Sequence, residues 1–183
     1  MTSQDAPASA YDMGHAVEAE NLATFAVLVD NEPGVLHRIV GLFAARGYNI
    51  ESLTVAETDR NAHTSRITIV TRGTPHVLAQ IEAQLEKLVS TRHVQNVTKN
   101  PNGAERELAL IKVRGQGPDR VEALRLAEIF RAKVIDTTSV SFIFEITGAP
   151  QKIDKFVDLM RPLGLVEVSR TGVLSIERGV ETL

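Results

Sequence analysis

Apolar residues follow two different spacings along this chain, and each change of spacing marks a new strand or helix. Leu22–Asp30 is apolar enough for a central strand, with alternate residues sharing one face. In Val35–Phe43 the apolar residues recur at intervals of three and four, the spacing of a helix packed on a sheet. Ile50–Thr58 alternates again. The pattern therefore predicts a strand, a turn, a helix and a second strand in this order.

The same reasoning completes a first structural unit. Arg66–Thr71 is predicted to be a third strand. Thr74 and Pro75 indicate the start of a second helix, because threonine caps helices and proline suits the first helical position. Val89–Lys99 supplies a fourth, more polar strand. The order βαββαβ is that of the ferredoxin-like split βαβ unit.

After residues 99–104, whose Asn, Pro and Gly residues are typical of a linker, the order of elements repeats. The predicted strands are Glu107–Arg114, Lys133–Thr138, Ser141–Thr147 and Leu165–Arg170, and the predicted helices are Pro118–Phe130 and Pro150–Met160. We therefore expect an α+β fold of two ferredoxin-like βαββαβ domains in tandem. The expected divisions are an acidic, disordered tail (1–20), a first domain (21–99), a linker (100–105) and a second domain (106–183).

Composition excludes several classes of function. The net charge of −3 argues against non-specific binding to nucleic acid. No apolar run approaches the roughly 20 residues needed to cross a bilayer, and the N-terminus lacks the basic start and apolar run of a secretory signal. The absence of cysteine excludes disulfides, thiolate chemistry and Cys-based metal sites. We expect a cytoplasmic protein that binds neither nucleic acid nor membrane.

Residue patterns typical of active sites are missing. The five histidines are scattered, with no metal-ligand spacing. No GxSxG or GxxxxGK[ST] motif occurs, and Gly115-Gln-Gly117 is not a dinucleotide motif because Arg120 occupies the third glycine position. We predict no catalytic residue, no metal site and no cofactor in this chain.

The turn Asn31–Leu36 is the best candidate for a binding site. A turn that leads into a helix exposes unpaired N–H groups, and the helix dipole favours an anion there. Gly34 allows a ligand to approach the backbone closely, so the N–H groups of Gly34, Val35 and Leu36 are candidate donors to a carboxylate. Asn31 offers its oxygen to an ammonium or its amide to a carboxylate. The same residues also fit an ordinary strand-to-helix turn, so the turn alone leaves both interpretations open.

A resemblance to known proteins favours the binding site. The segment DNEPGVLHRI (Asp30–Ile39), which leads into the βαββαβ unit, resembles an ACT domain, the amino-acid-sensing module of metabolic regulation. The run IVGLFAARGYNIESLTVAET (Ile39–Thr58) resembles more specifically the small regulatory subunits of acetolactate synthase (acetohydroxyacid synthase). The resemblance continues through SRITIVT, QIEAQLEKLV, EIFRAKVID and RTGVLSIERG, and covers nearly everything except the N-terminal tail.

This resemblance implies a regulatory role without catalysis. Small subunits of this family bind a large subunit that uses thiamine diphosphate, Mg²⁺ and usually FAD to condense two pyruvates into 2-acetolactate and CO₂. They raise its activity and confer feedback inhibition by valine or another branched-chain amino acid. The ACT domains of this group pair side by side, which implies a homodimer with the effector at the interface. The implied effector-binding residues are Asn31, Gly34, Val35 and Leu36 of one subunit, with Asn49 and Ile50 of its partner.

Two other functions fit parts of the same sequence. A stand-alone ACT sensor could act on another enzyme or on a transcription factor, although the long run Ile39–Thr58 argues against it. An acylphosphatase-like hydrolase would use Arg38 and Asn49 on a phosphate loop, but no nucleophile or metal site accompanies them.

Overall fold

The predicted alternation of strands and helices is present in the computed structural model, which describes residues 19–100 and 103–180. The fold is α+β, with two βαββαβ units in tandem. Of the predicted N-terminal tail, residues 1–18 lie outside the described residues. No helix within the described ranges is long and apolar enough to span a bilayer.

The first unit has the predicted order of elements. These are β1 (Asn21–Asp30), α1 (Val35–Arg46), β2 (Ser52–Asp59), β3 (Thr64–Gly73), α2 (Pro75–Glu86) and β4 (Thr91–Asn96). The four strands form one antiparallel sheet in the order β2-β3-β1-β4. Both helices pack on one face of this sheet, where Phe25, Ile39 and Ile81 are fully buried.

Local signals determine where the helices of this unit begin and end. Gly34 precedes α1 with φ of 86°, and Gly47 ends it with φ of 68°, two left-handed conformations that glycine adopts without strain. Thr74 caps α2 as predicted, because its side chain accepts a hydrogen bond from the Val77 N–H at 3.4 Å, and Pro75 occupies the first turn.

The fourth strand is shorter than the predicted Val89–Lys99. Its first two residues belong to a turn, in which the Thr91 N–H donates to the Leu88 carbonyl at 2.9 Å. Its last three form a short 3-10 helix, Val97–Lys99, closed by the Asn100 N–H on the Val97 carbonyl at 3.0 Å. The predicted strand was too long because turns with local hydrogen bonds form at both of its ends, and an alternating pattern of apolar residues does not reveal them.

The second unit repeats this architecture. Its elements are β5 (Gly103–Arg114), α3 (Gly117–Phe130), β6 (Lys133–Thr137), β7 (Ser141–Gly148), α4 (Pro150–Met160), β8 (Leu165–Arg170) and β9 (Leu174–Glu177). The strand order β6-β7-β5-β8 matches that of the first sheet, with each strand in the equivalent position. The ring of Phe156, at the centre of its core, lies 5.2 Å from that of Phe130 and 6.0 Å from that of Phe144, measured between centroids.

Strand β5 is longer than predicted, and β9 was not predicted at all. The first residues of β5, Gly103–Arg106, pair antiparallel with β9. Residues 103–105, expected in a linker, are therefore part of a strand. Their pairing partner lies about seventy residues later in the chain, where local pattern cannot show it.

The face of the first sheet that carries no helix is also buried. Thr24, Ala26, Thr68 and Val70 alternate with the helix-facing residues, yet each is at most 4% exposed. The segment Thr171–Glu177, called the C-terminal strap below, lies against this face through hydrogen bonds to β2 and β3. The second unit therefore covers part of the first.

Candidate functional site

Gly34 is positioned for close approach by a ligand. It is the N-cap residue of α1, no side chain caps the helix there, and the first turn contains no acidic residue. A Cβ built on Gly34 would meet no described heavy atom within 4 Å. The N-terminus of α1, where the helix dipole favours negative charge, is therefore open in the part of the chain that the structure describes.

Two of the three predicted backbone donors are available. The N–H groups of Gly34 and Leu36 have no hydrogen-bond partner among the described residues. The Val35 N–H, by contrast, donates to the Glu32 carbonyl at 3.2 Å and is not free in this structure, so its role as a donor to an effector stays a prediction. The turn folds back through this bond, and the Val35 side chain points into the first core with 8% exposure. Leu36 is 39% exposed and can contact a ligand directly.

Asn31 is held in place with one polar atom left over. Its backbone N–H donates to the His63 carbonyl at 2.7 Å, and its side-chain Nδ2 donates to Glu57 Oε1 at 3.4 Å. Within the described residues its side-chain oxygen has no partner. Because that oxygen is an acceptor, it suits an ammonium group rather than a carboxylate.

Asn49 and Ile50 lie at the other end of α1. The helix has twelve residues, which separates its ends by about 18 Å. Thr71 donates its hydroxyl to the Asn49 carbonyl at 2.6 Å, and Asn49 Nδ2 donates to Glu51 Oε1 at 3.2 Å. Ile50 is half-buried against the first core. A single chain does not bring the two groups of predicted site residues together.

The charges near the turn are compatible with an anion. The Asp30 carboxylate is paired with Arg92 at 2.6 Å, and Glu32 lies 3.9 Å from Arg38. Arg38 also donates to Ser90 Oγ at 2.7 Å. Both carboxylates next to the turn therefore face a guanidinium, which reduces their repulsion of a ligand carboxylate.

The alternative phosphate site is not assembled. Arg38 lies near the start of α1 and Asn49 beyond its end, so the two side chains do not form one phosphate loop. Among residues 19–100 and 103–180, no group of three or more His, Asp or Glu side chains could hold a metal ion.

Comparison with known proteins identifies the family. The family model described as "AHAS small subunit-like ACT domain" matches residues 25–93, and the one described as "Small subunit of acetolactate synthase" matches residues 106–179. A protein of Archaeoglobus fulgidus named "Probable acetolactate synthase small subunit" is 47% identical over 85% of this chain and 96% of its own length. The chain belongs to the acetolactate synthase small-subunit family.

Further relatives of this small-subunit family agree. The small subunit of acetolactate synthase isozyme 3 from Salmonella typhimurium is 45% identical over 84% of this chain and 93% of its own. The crystal structure of the acetolactate synthase small subunit from Thermotoga maritima superposes with a TM-score of 0.77 at 40% identity, covering 88% of this chain and 99% of that one. The similarity extends through both units, so the ACT domain and the second domain occur together in these relatives as they do in this chain.

Sequence reasoning missed the side chains that hold the predicted site residues. Glu57 binds Asn31 from β2, and Thr71 binds Asn49 from β3. Thr71 is the last residue of a predicted strand and follows the core residues Ile67 and Ile69 in the alternation. A hydroxyl in that position indicates that a hydrogen-bond partner lies nearby, because buried polar groups need one.

Proposed function

We propose that this chain is the regulatory subunit of an acetolactate synthase in branched-chain amino acid biosynthesis. It binds valine or another branched-chain amino acid between two ACT domains that pair side by side. It activates a catalytic large subunit, which carries thiamine diphosphate, Mg²⁺ and FAD and converts two pyruvates into 2-acetolactate and CO₂. Effector binding makes that activity subject to feedback inhibition.

The observation that carries this proposal is the open turn at Gly34. Two N–H groups that have no partner among the described residues, those of Gly34 and Leu36, lie at the N-terminus of a twelve-residue helix with no acidic residue in its first turn. A carboxylate is the part of an amino acid that such a site binds best. The side-chain oxygen of Asn31, on the same turn, accepts no hydrogen bond from the residues that the structure describes and suits the ammonium group.

The aliphatic side chain of the effector needs an apolar wall. Leu36 supplies one from the same turn, and Ile50 of the second subunit would supply another. Asn49, beside Ile50, adds a polar group at the rim. One methylene changes the binding free energy by only about 1–3 kcal/mol, so valine, leucine and isoleucine should all bind, with different affinities.

A site shared between two subunits explains how binding could regulate a partner. An effector that contacts both subunits stabilises one arrangement of the dimer over another. A coupling free energy of about 1–3 kcal/mol between effector site and catalytic subunit changes affinity or activity roughly 5- to 150-fold.

Reconstitution with the catalytic large subunit tests this function. In the Gly34→Asp variant a carboxylate at the turn repels the carboxylate of the effector, so we expect activation to remain and inhibition by valine to disappear. Gly179→Asp is the control, because Gly179 also has a positive φ, of 102°, and open space around it, but lies outside the predicted site. Valine inhibition that survives Gly34→Asp contradicts the site, and a catalytic subunit that neither binds nor responds to the wild-type chain contradicts the function.

A further inference from the structure

Two side chains of β2 form hydrogen bonds with the backbone of the C-terminal strap, in place of the backbone groups of a pairing strand. Val173 donates its backbone N–H to Ser52 Oγ at 3.1 Å, and its carbonyl accepts the hydroxyl of Thr54 at 3.2 Å. Ser52 and Thr54 are two residues apart on one face of the strand, as successive groups of a pairing strand would be. Both polar backbone groups of Val173, which is 6% exposed, are therefore satisfied by β2.

Gly172 shows how closely the strap approaches the sheet. Its φ is 84°, and a Cβ added there would lie 2.7 Å from Ser52 Oγ and 2.8 Å from Thr54 Cγ2. Such distances are shorter than real Cβ atoms show, so any side chain at Gly172 would push the strap away from β2. Glycine is needed here both for its conformation and for the close approach.

Arg66 attaches the strap to the neighbouring strand. Its Nη2 donates to the Ser175 carbonyl at 2.8 Å from the same helix-free face of the sheet. Burial lowers the pKa of the Arg66 guanidinium, and the nearby Glu177 carboxylate partly offsets this effect. The strap therefore crosses from β2 to β3, with two hydrogen bonds to β2 and one to β3.

The other side of the strap belongs to the second domain. Thr171 donates its backbone N–H to the Leu108 carbonyl at 3.0 Å, and β9 pairs with the first residues of β5. Beside the strap, a cleft of about 500 Å³ is lined by residues of both domains. The strap thus links the second domain to β2 directly and borders this cleft through Thr171, Gly172 and Val173.

Strand β2 begins two residues after Ile50, the last residue of the predicted effector site. Only Glu51 separates Ser52 from Ile50, so a shift of Ser52 and Thr54 relative to the strap would be transmitted through the chain to Asn49 and Ile50. We propose that the strap positions this half of the effector site, and that the second domain senses effector occupancy through the Ser52 and Thr54 contacts with Val173. This inference rests on the proposed function.

Coupling of this kind works in both directions. If docking of the strap improves effector affinity, effector binding must favour docking of the strap by the same factor. Two quantities should therefore change together: the affinity for valine, and the rate at which amide hydrogens of residues 171–177 exchange with solvent. A strap that served only to cover the sheet would show no response to valine.

The double variant Ser52→Ala/Thr54→Val removes both hydroxyls from the strap contact. Its control is Thr58→Val, which removes a hydroxyl from the same strand where it bonds only the Thr64 carbonyl, at 3.4 Å, inside the first domain. Gly172→Ala is a second variant, which displaces the strap without changing β2. Each full-length protein is titrated with valine by calorimetry, and hydrogen exchange is measured with and without valine.

In the wild-type protein and in Thr58→Val, valine should slow exchange in residues 171–177. In the double variant and in Gly172→Ala this response should be lost, and the dissociation constant for valine should rise about fivefold or more. Unchanged affinity together with an unchanged exchange response in both strap variants overturns the inference. If Gly34→Asp still binds valine, the proposed site is wrong; if only the strap variants behave like wild type, the site stands and the coupling does not.

Discussion

Thr71 donates its hydroxyl to the carbonyl oxygen of Asn49 across 2.6 Å, from a fully buried position on β3. Just after Asn49, the Glu51 N–H donates to the Val70 carbonyl at 2.8 Å. These two bonds hold the segment before β2 against its neighbouring strand. One of the predicted effector residues is therefore positioned by a buried hydroxyl of the neighbouring strand.

We expect Thr71→Val to weaken valine binding. Valine fills the same space as threonine but leaves the Asn49 carbonyl without this partner, at a cost of about 1 kcal/mol. If that whole cost falls on the effector-binding conformation, the dissociation constant rises about fivefold. Calorimetric titration measures this change.

The variant Thr74→Ala is the control that distinguishes a loss of valine affinity from a general loss of stability. Thr74 caps α2, and losing the cap costs about 1 kcal/mol of unfolding free energy without touching Asn49. Urea unfolding should show both variants destabilised to a similar extent, with only Thr71→Val losing affinity. Equal losses of affinity in the two variants would show that stability alone controls binding.

How far the sequence predicted this structure depends on the range of the interactions involved. Helix α4 was predicted with its observed bounds, Pro150–Met160, because proline at its start and apolar spacing are local signals. The contacts of Val173 with Ser52 and Thr54 join residues 121 and 119 positions apart. No periodicity of either segment contains that information, so neither the strap nor β9 was predicted.

The candidate site, too, could be predicted only in part from the sequence. Residue types alone placed Gly34 at a turn before a helix, and its left-handed conformation confirms that part of the prediction. Residue types did not show that the Val35 N–H donates to the Glu32 carbonyl, because this fold-back depends on the dihedral angles of the turn. The roles of the six predicted residues in binding an effector stay predictions.

Glu107 and Arg170 should make a large contribution to the stability of the second domain. The Glu107 side chain is 3% exposed, and its carboxylate accepts two hydrogen bonds from the guanidinium of Arg170. The hydrogen bond to Glu107 is the main cause that raises the pKa of Arg170. Glu107→Gln keeps the volume but removes the charge and one of the acceptors, so we expect a loss of about 1.5–3 kcal/mol of unfolding free energy, as for hydrogen bonds to charged groups.

The matched control for this pair is Asp154→Asn. Asp154 also contacts Arg170, at 2.6 Å, but its side chain is 56% exposed. An exposed ion pair contributes less than about 1 kcal/mol, so urea unfolding should show a much smaller loss. Equal losses in the two variants would contradict the distinction between the buried and the exposed partner.

The pair Lys112–Glu167 predicts a pH dependence of stability. The Lys112 ammonium, 2.6 Å away, lowers the pKa of the Glu167 carboxyl through their hydrogen bond. The pKa of Glu167 is lower in the folded state than in the unfolded state. The contribution of this ion pair to the free energy of unfolding is therefore fully present above the unfolded pKa of about 4.3, and it is lost as the pH falls through the folded pKa. The stability difference between wild type and Glu167→Gln should therefore shrink on acidification below about pH 4.3. A difference that grows on acidification would contradict this sign.

The central claim is that the turn at Gly34 binds the carboxylate of a branched-chain amino acid. The most direct test is calorimetric titration of the isolated full-length chain with valine, leucine and isoleucine, with lysine as the control ligand. Gly34→Asp and Gly34→Asn are compared, because asparagine also tolerates the left-handed conformation and differs from aspartate mainly in charge.

We expect the three aliphatic amino acids to bind and lysine not to bind. Gly34→Asp should abolish binding, while Gly34→Asn should bind measurably but less tightly than wild type. Binding of valine by Gly34→Asp with wild-type affinity, or no binding of any aliphatic amino acid by the wild-type chain, would contradict the central claim.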